Sequence, residues 1–157
     1  MVCLLSDLIE HVKSARAQNK KIVWTNGCFD IIHRGHVQYL KEASELGDVL
    51  IVGLNSDSSV HQLKGINRPV FSENDRAEVL SAIRYIDCVV IFDETSPAKI
   101  IQTIQPDIYV KGGDYDLQKL NQIERNIVEA YGGIIKFVSL TDNMSTTSII
   151  SKILQKG

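Results

Sequence analysis

Short apolar runs alternate with segments of helical periodicity along almost the whole chain, and this alternation restricts the fold more than any other feature. The run at 49–52 is continuously apolar, which is typical of a parallel strand covered on both faces. By contrast, Val37, Leu40 and Ala43 recur at helical spacing. We predict strands at 22–25, 49–52, 88–92, 107–110 and 134–138, and helices at 4–18, 37–46, 56–63, 74–84, 97–104, 120–131 and 146–154.

This order of elements predicts an α/β fold, specifically a Rossmann-like, doubly wound parallel sheet of five strands with right-handed crossovers. Ligands of such sheets bind beyond the carboxyl ends of the strands, at the topological switch point. With 157 residues, we expect a single domain over 1–157, in which 1–19 form an N-terminal helix and 20–157 form the α/β core.

Composition excludes several classes of protein. Lys plus Arg is 17 and Asp plus Glu is 19, a net charge of −2 that argues against wrapping of nucleic acid. The apolar runs are too short for a membrane span, and the N-terminus lacks the pattern of a signal peptide. Cys3, Cys28 and Cys88 are odd in number and far apart, so we expect no disulfide framework, no cysteine-rich zinc site and a cytoplasmic location.

The loop after the first predicted strand concentrates the candidate chemistry. It holds His33 and His36 with Gly35 between them, and neither a GxGxxG fingerprint nor a P-loop is present. At a helix start, residues three apart share a face, so both imidazoles would lie at the positive end of the helix dipole, where phosphate oxygens bind. Gly35 would let a ligand approach the backbone closely.

The main alternative to a phosphate site is that His33 only caps the helix and His36 is a surface residue. Metal ligation is disfavoured because no third histidine is near.

The pattern Gly27-x-Phe29-Asp30-x-x-His33-x-Gly35-His36 resembles the signature of the cytidylyltransferase-like nucleotidyltransferase superfamily. Within it, residues 20–154 resemble the adenylyltransferases that make ADP-heptose from heptose 1-phosphate. In that branch the unit is often fused behind a sugar kinase, for which this chain has no room, so we expect a stand-alone form or an isolated domain. Further matching segments, in order, are Leu54-Asn55-Ser56-Asp57, Leu63-Lys64-Gly65, Arg68-Pro69-Val70, Asp75-Arg76, 110–115 and 145–150.

The resemblance implies transfer of AMP from ATP to D-glycero-D-manno-heptose 1-phosphate, with Mg²⁺ accompanying the ATP. The products would be pyrophosphate and ADP-heptose for lipopolysaccharide core biosynthesis. A phosphate monoester has a second pKa of about 6, so at neutral pH the acceptor is already largely a dianion and needs no enzyme nucleophile or general base. Catalysis is then mostly positioning and electrostatic stabilisation. The expected partners are ATP and a sugar 1-phosphate, without nucleic acid or membrane, and a homodimer or higher homo-oligomer stays open.

The same resemblance implies roles for individual residues, while the metal ligands stay unassigned. The implied catalytic residues are His33, His36 and Lys111. The implied nucleotide-binding residues are Thr25, Asn26, Gly27, Phe29, Gly35, Asn55, Asp57, Ser145, Thr146 and Thr147. The implied contacts to the substrate phosphate or sugar are Lys64, Arg68, Arg76, Gly113 and Asp114.

Several of these residues have simpler explanations. Lys111 could be an exposed loop lysine, although the glycines that follow it let the chain turn toward a ligand. Asp114 suits Mg²⁺, sugar hydroxyls or a turn cap equally. The hydroxyls at 145–147 could only cap the last helix, although a cap there also presents hydroxyls and amides to phosphates. Arg76 could form a surface ion pair with Glu73 or a nearby acid.

One departure from the superfamily pattern separates its branches. The wider superfamily often ends its last motif with an arginine, whereas Ile149 and Ile150 follow the hydroxyl run here, as in the heptose branch. Charge neutralisation would then fall to other cations, namely Lys64, Arg68, Arg76 or Lys111.

Three rival functions remain. The nearest is a cytidylyltransferase acting on glycerol 3-phosphate or another alcohol phosphate, because the histidine loop is shared. Pantetheine-phosphate adenylyltransferase is weaker, since that family usually has Thr where His33 stands. A non-catalytic nucleotide-binding regulatory module is the rival of a different class.

Overall fold

The computed structural model describes residues 1–112, 118–138 and 146–155. No helix in these ranges is long and apolar enough to cross a membrane. In chain order the elements are α1 (Leu5–Ala17), β1 (Ile22–Gly27), α2 (Arg34–Ser44), β2 (Val49–Asn55), α3 (Asp57–Lys64), α4 (Glu73–Ser81), β3 (Cys88–Phe92), α5 (Ala98–Ile104), β4 (Ile108–Gly112), α6 (Gln122–Ala130), β5 (Ile134–Val138) and α7 (Thr146–Leu154).

The five strands form one parallel sheet in the order β3-β2-β1-β4-β5, which confirms the predicted α/β fold. β1 lies at the centre and pairs with β2 on one side and β4 on the other, with Thr25 opposite both Val52 and Val110. The chain moves outward in opposite directions from β1, so the switch point lies between β1 and β4.

Apolar side chains cover both faces of the sheet and explain the continuous apolar runs. Every residue of β2 is buried. On one face, Leu8 of α1 and Ile101 of α5 pack in the cluster that contains Trp24. On the other face, Leu40 of α2 and Leu80 of α4 pack in a second cluster. Burial on both faces is what a doubly wound sheet requires.

The elements around the first loop extend further than the apolar pattern predicts. β1 continues through Gly27 and β4 through Gly112, so Asn26 and Lys111 lie on strand ends rather than in loops. α2 begins at Arg34, three residues before the apolar stripe that starts at Val37, which agrees with a histidine pair at the helix start; this first turn is polar and carries no apolar stripe. Periodicity detects only residues that pack on the core. The polar residues at these strand ends and in this first turn lie instead at the carboxyl edge of the sheet.

The cysteines differ from the sequence expectation, because a disulfide joins Cys3 to Cys88. The two lie 85 residues apart in sequence. They meet because the N-terminal segment runs beside the edge strand β3, where Val2 forms a parallel bridge with Val89. Sequence spacing contains no signal for such a long-range pairing. Cys28 is the cysteine that stays free.

Candidate active site

A cavity of about 580 Å³ opens at the carboxyl ends of β1, β2 and β4. Its position at the switch point is where a doubly wound sheet binds ligands. The structure brings nine of the sequence-predicted site residues to its wall: Asn26, Gly27, Phe29, His36, Asn55, Lys64, Arg68, Lys111 and Thr146.

The remaining predicted residues fall into two groups. Gly113, Asp114 and Ser145 lie outside the described residues, as does the side chain of Thr147. The others are described but do not line the cavity, and their proposed ligand contacts stay predictions: Thr25, His33, Gly35, Asp57 and Arg76.

The β1–α2 loop turns sharply at Phe29, which adopts a left-handed backbone conformation with φ 43°. This conformation is uncommon for residues other than glycine and is typical of functional loops. The Phe29 ring lies against the end of β1, so close that a Cβ added at Gly27 would be 3.1 Å from the ring. The ring also lies 5.4 Å from the His36 ring, centroid to centroid, so Phe29 forms one wall beside the imidazole.

His33 and His36 lie on the same face of the first turn of α2. Their ring centroids are 3.9 Å apart and the rings are tilted by 38°. The backbone N–H of His33 donates to Nδ1 of His36 at 3.4 Å. This bond places the hydrogen of the neutral His36 ring on Nε2, which can then donate to a ligand. Gly35 makes room for the His33 ring, because a Cβ there would lie 3.1 Å from two of its atoms.

Partial burial favours the neutral form of both imidazoles in the free protein. Desolvation, followed by the neighbouring His33, lowers the pKa of His36 to about 4. Desolvation also lowers the pKa of His33. Neutral His36 therefore acts as a hydrogen-bond donor through Nε2, and a polyanion beside it would favour its protonated form.

Lys111 projects into the switch point and is paired there. Its side chain is 13% exposed, so the alternative of an exposed loop lysine is wrong. Its ammonium lies 3.2 Å from Oδ1 of Asn26 and 3.5 Å from Oε2 of Glu124. Desolvation lowers the pKa of Lys111, and the attraction of Glu124 opposes that shift.

Glu124 is a cavity residue that the sequence analysis missed. Its carboxylate is buried, and it accepts hydrogen bonds from Tyr109 at 2.6 Å and Ser96 at 2.8 Å. A signal was available, because Glu124 stands four residues after Leu120 and four before Val128, both of them buried. A carboxylate within an apolar helical stripe needs a partner, which here is a network at the carboxyl edge of the sheet.

Asp30 ties the loop at 65–72 to the β1–α2 loop. Its buried carboxylate accepts from the backbone N–H groups of Val70 and Phe71 at 2.7 and 3.2 Å, and from Nε of Arg68. Lys64 and Arg68 border the cavity from this side. The loop is thus held against the histidine loop by one carboxylate.

Arg76 does pair with a nearby acid, but that acid is Asp57 rather than Glu73, and the arginine is buried rather than at the surface. It is 2% exposed and donates to the carbonyl oxygens of Cys28 at 2.6 Å and Asn55 at 2.8 Å. It also bonds the carboxylate of Asp57 at 2.7 Å. Glu73 instead accepts from the backbone N–H of Asp57 at 2.8 Å. Arg76 therefore fastens the ends of β1 and β2 to α4 from behind the cavity wall.

Thr25, like Arg76, forms its side-chain hydrogen bond within the protein. Its hydroxyl bonds to the Tyr39 hydroxyl, which donates to the carbonyl of Val110 at 3.1 Å. Burial raises the pKa of Tyr39, so its phenol stays protonated. Gly112 is required beside this ring, because a Cβ there would lie 2.7 Å from it. Tyr39 thus connects β1 and β4 directly beneath the cavity.

The described lining is positive overall and offers no group of metal ligands. The cationic side chains are Lys64, Arg68, Lys111 and Lys119, against the carboxylates of Asp30 and Glu124. Both carboxylates are bonded within the protein. Across the described residues no group of three or more His, Cys, Asp or Glu could hold a metal ion. The arrangement suits an anionic ligand that brings its own cation, as nucleoside triphosphates bring Mg²⁺.

Comparisons with known proteins agree with this geometry. The family model described as cytidylyltransferase-like matches residues 24–152. Bifunctional protein HldE of Geotalea uraniireducens (strain Rf4) is 48% identical over 149 residues, which is 95% of this chain and 30% of that protein. Bifunctional protein HldE of Pseudomonas aeruginosa (strain UCBPP-PA14) is 47% identical over 153 residues, or 98% of this chain and 32% of that protein. The chain spans less than a third of these relatives' length.

A solved structure is also similar. The crystal structure of the lipopolysaccharide core biosynthesis protein from Thermoplasma volcanium GSS1 has a TM-score of 0.65 and 31% sequence identity. The similarity covers 80% of this chain and 99% of that chain. The backbone of this chain is therefore similar to that of a solved structure over most of its length.

Proposed function

The chain belongs to the cytidylyltransferase-like family, and from this membership and the cavity we propose an adenylyltransferase that acts on a sugar 1-phosphate. The proposed acceptor is D-glycero-D-manno-heptose 1-phosphate, and the products are ADP-heptose and pyrophosphate. The name of the similar solved protein, a lipopolysaccharide core biosynthesis protein, supports a role in building lipopolysaccharide. The observation that carries the proposal is a positive cavity at the switch point with His36 and Lys111 on its wall.

The proposed reaction is one displacement at phosphorus. An oxygen of the acceptor phosphate forms a bond to the α-phosphorus of ATP, and the bond from that phosphorus to the bridging oxygen breaks, so that pyrophosphate leaves with the electron pair. Because the acceptor is already anionic at neutral pH, no residue has to remove a proton. The protein has to bring two anions together and stabilise the charge that develops at the transferred group.

Two sides of the cavity can divide this task. We assign the nucleotide phosphates to the side of His36, Lys111 and Thr146, where the first turns of α2 and α7 meet the cavity. Helix N-termini favour phosphate groups through their free N–H groups and their dipole. We assign the acceptor phosphate to Lys64 and Arg68, which also line the cavity.

Mg²⁺ belongs to this proposal as part of the MgATP substrate. The cavity carboxylates Asp30 and Glu124 are engaged inside the protein, so the ion would be held mainly by triphosphate oxygens and water. Because the proposed donor is ATP, we also propose that the reaction takes place in the cytoplasm.

A substrate matrix tests the function. Pyrophosphate release should be measured with ATP or CTP as donor and heptose 1-phosphate or glycerol 3-phosphate as acceptor, each with Mg²⁺. We expect turnover with ATP and heptose 1-phosphate, and at least tenfold lower kcat/KM for the other three pairs. Preference for CTP and glycerol 3-phosphate would identify a cytidylyltransferase. Tight ATP binding without turnover on any acceptor would identify a regulatory module.

A further inference from the structure

A buried polar network connects Glu124 of α6 to Tyr109, Lys111 and Asn26 at the cavity. Glu124 is 4% exposed, although most of α6 faces solvent. Its two carboxylate oxygens face different partners: Oε1 accepts from Ser96 at 2.8 Å, and Oε2 accepts from Tyr109 at 2.6 Å. Oε2 also lies 3.5 Å from the Lys111 ammonium. A buried carboxylate is costly unless it is paired in this way.

The hydrogen bonds of this network determine which end of the Asn26 amide faces a ligand. The Tyr109 hydroxyl lies 2.6 Å from Glu124 and 3.0 Å from Oδ1 of Asn26. This hydroxyl is the donor in both contacts, and its single hydrogen is drawn more strongly to the carboxylate, because charge-assisted bonds are stronger. Oδ1 of Asn26 then accepts from the Lys111 ammonium at 3.2 Å. The NH₂ group of Asn26 is left for a ligand in the cavity that Asn26 lines.

We propose that Glu124 is a positioning residue for the transfer reaction: its carboxylate holds the Lys111 ammonium at the switch point between β1 and β4 and, through Lys111, orients the amide of Asn26 toward nucleotide phosphate. The inference rests on the proposed function. All three residues line the cavity, but the carboxylate oxygens of Glu124 are bonded to Ser96 and Tyr109, so Lys111 and Asn26 would contact the ligand and Glu124 would act through them.

The effect of Glu124 on the pKa of Lys111 can be measured without any turnover. Burial lowers the pKa of Lys111 and Glu124 raises it, so the neutral Glu124→Gln variant should titrate Lys111 at lower pH than the wild-type protein. NMR detection of the labelled lysine side chain in the ligand-free protein reports this titration. Glu129→Gln is the matched control, because Glu129 is on the same helix, is half exposed and pairs with Arg125. An unchanged Lys111 titration in Glu124→Gln would overturn the proposal.

A double-mutant cycle tests whether Glu124 acts through Lys111 during turnover. We expect Glu124→Gln to lower kcat/KM about tenfold and to move the alkaline limb of its pH profile to lower pH. In a Lys111→Gln background the same change should cost less than twofold, because the group that it positions is gone. Equal losses in both backgrounds would show that Glu124 acts independently of Lys111 and would overturn the proposal.

The Glu124→Asp variant is the control for the case in which Glu124→Gln fails to fold. It keeps the paired charge and should retain kcat/KM within about threefold of wild type, with Lys111 titrating near its wild-type position. A folded Glu124→Asp protein as impaired as Glu124→Gln would contradict the role of the charge. If the wild-type protein releases no pyrophosphate with any substrate pair, the proposed function fails, while the lysine titration still decides the role of Glu124.

Discussion

Neighbouring groups of the protein set the orientation and the protonation of His36 in the first turn of α2. The His36 ring is oriented by the backbone N–H of His33 and kept neutral by burial. The His33 ring occupies the space above Gly35. A site prepared in this way offers a donor for a phosphate oxygen before the ligand arrives, which reduces reorganisation during reaction.

The depressed pKa of His36 predicts a pH-dependent stability. Its pKa is about 4 in the folded protein and about 6.5 unfolded, so between these values the unfolded chain binds more protons. The free energy of unfolding should therefore fall as pH drops through this window, by up to about 1.4 kcal/mol per pH unit from this residue. Urea unfolding from pH 7 to pH 4.5 measures it.

His36→Gln should flatten this part of the stability curve. The matched control is His61→Gln, since His61 is exposed on α3 and should leave the curve unchanged. Equal slopes for the wild-type protein and His36→Gln would show that His36 is not kept neutral by folding.

Gly35→Ala should separate activity from stability. The new Cβ would lie 3.1 Å from the His33 ring, so the ring must shift by a few tenths of an ångström. Alanine favours the first turn of α2 by up to about 1 kcal/mol relative to glycine. We expect kcat to fall about tenfold while the melting temperature is unchanged or higher. A large loss of melting temperature with native kcat would refute this assignment.

Arg76 connects separate elements in the interior of the protein rather than forming an ion pair at the surface. Its guanidinium joins the loop after β1, the end of β2 and the start of α3 to α4. Lysine cannot reproduce this planar set of donors. We expect Arg76→Lys to lower the free energy of unfolding by about 2–4 kcal/mol, measured by urea denaturation.

The control for this change is Arg84→Lys, because Arg84 is exposed just after α4 and should alter stability by less than about 0.5 kcal/mol. Similar stabilities for the two variants would mean that the buried bonds of Arg76 contribute little.

Periodicity predicts the elements that pack on the core and fails where polar residues turn toward the cavity. The apolar run at 49–52 identifies β2, and the stripe from Val37 identifies α2 but not its polar first turn. The histidine pattern locates the loop of the site. Burial of Arg76 and Glu124 depends on partners distant in sequence, such as Cys28 and Tyr109, which local spacing does not reveal.

The order of the sheet explains why one cavity can serve two anions. Because β1 lies between β2 and β4, residues from three strand ends and two helix starts meet at one edge. The described lining has four cations and two carboxylates, both of them internally bonded. Such a wall favours polyphosphate binding by electrostatics and does not by itself provide a nucleophile.

Direct displacement predicts how labelled pyrophosphate exchanges into ATP. Cys28 is the thiol on the cavity wall, and burial raises its pKa, so it is not a ready thiolate. We expect exchange only when the sugar 1-phosphate or its nucleotide product is present, and we expect Cys28→Ser to retain activity within about threefold. Exchange with ATP alone would reveal an adenylylated enzyme and contradict direct transfer.

The most direct test of the histidine site is kcat for pyrophosphate release by His36→Ala with saturating ATP and heptose 1-phosphate. Removal of one preorganised donor should lower kcat by about 10²–10³-fold while circular dichroism shows a native fold. A folded His36→Ala protein that turns over at the wild-type rate would contradict the central claim that this imidazole stabilises the adenylyl group during transfer.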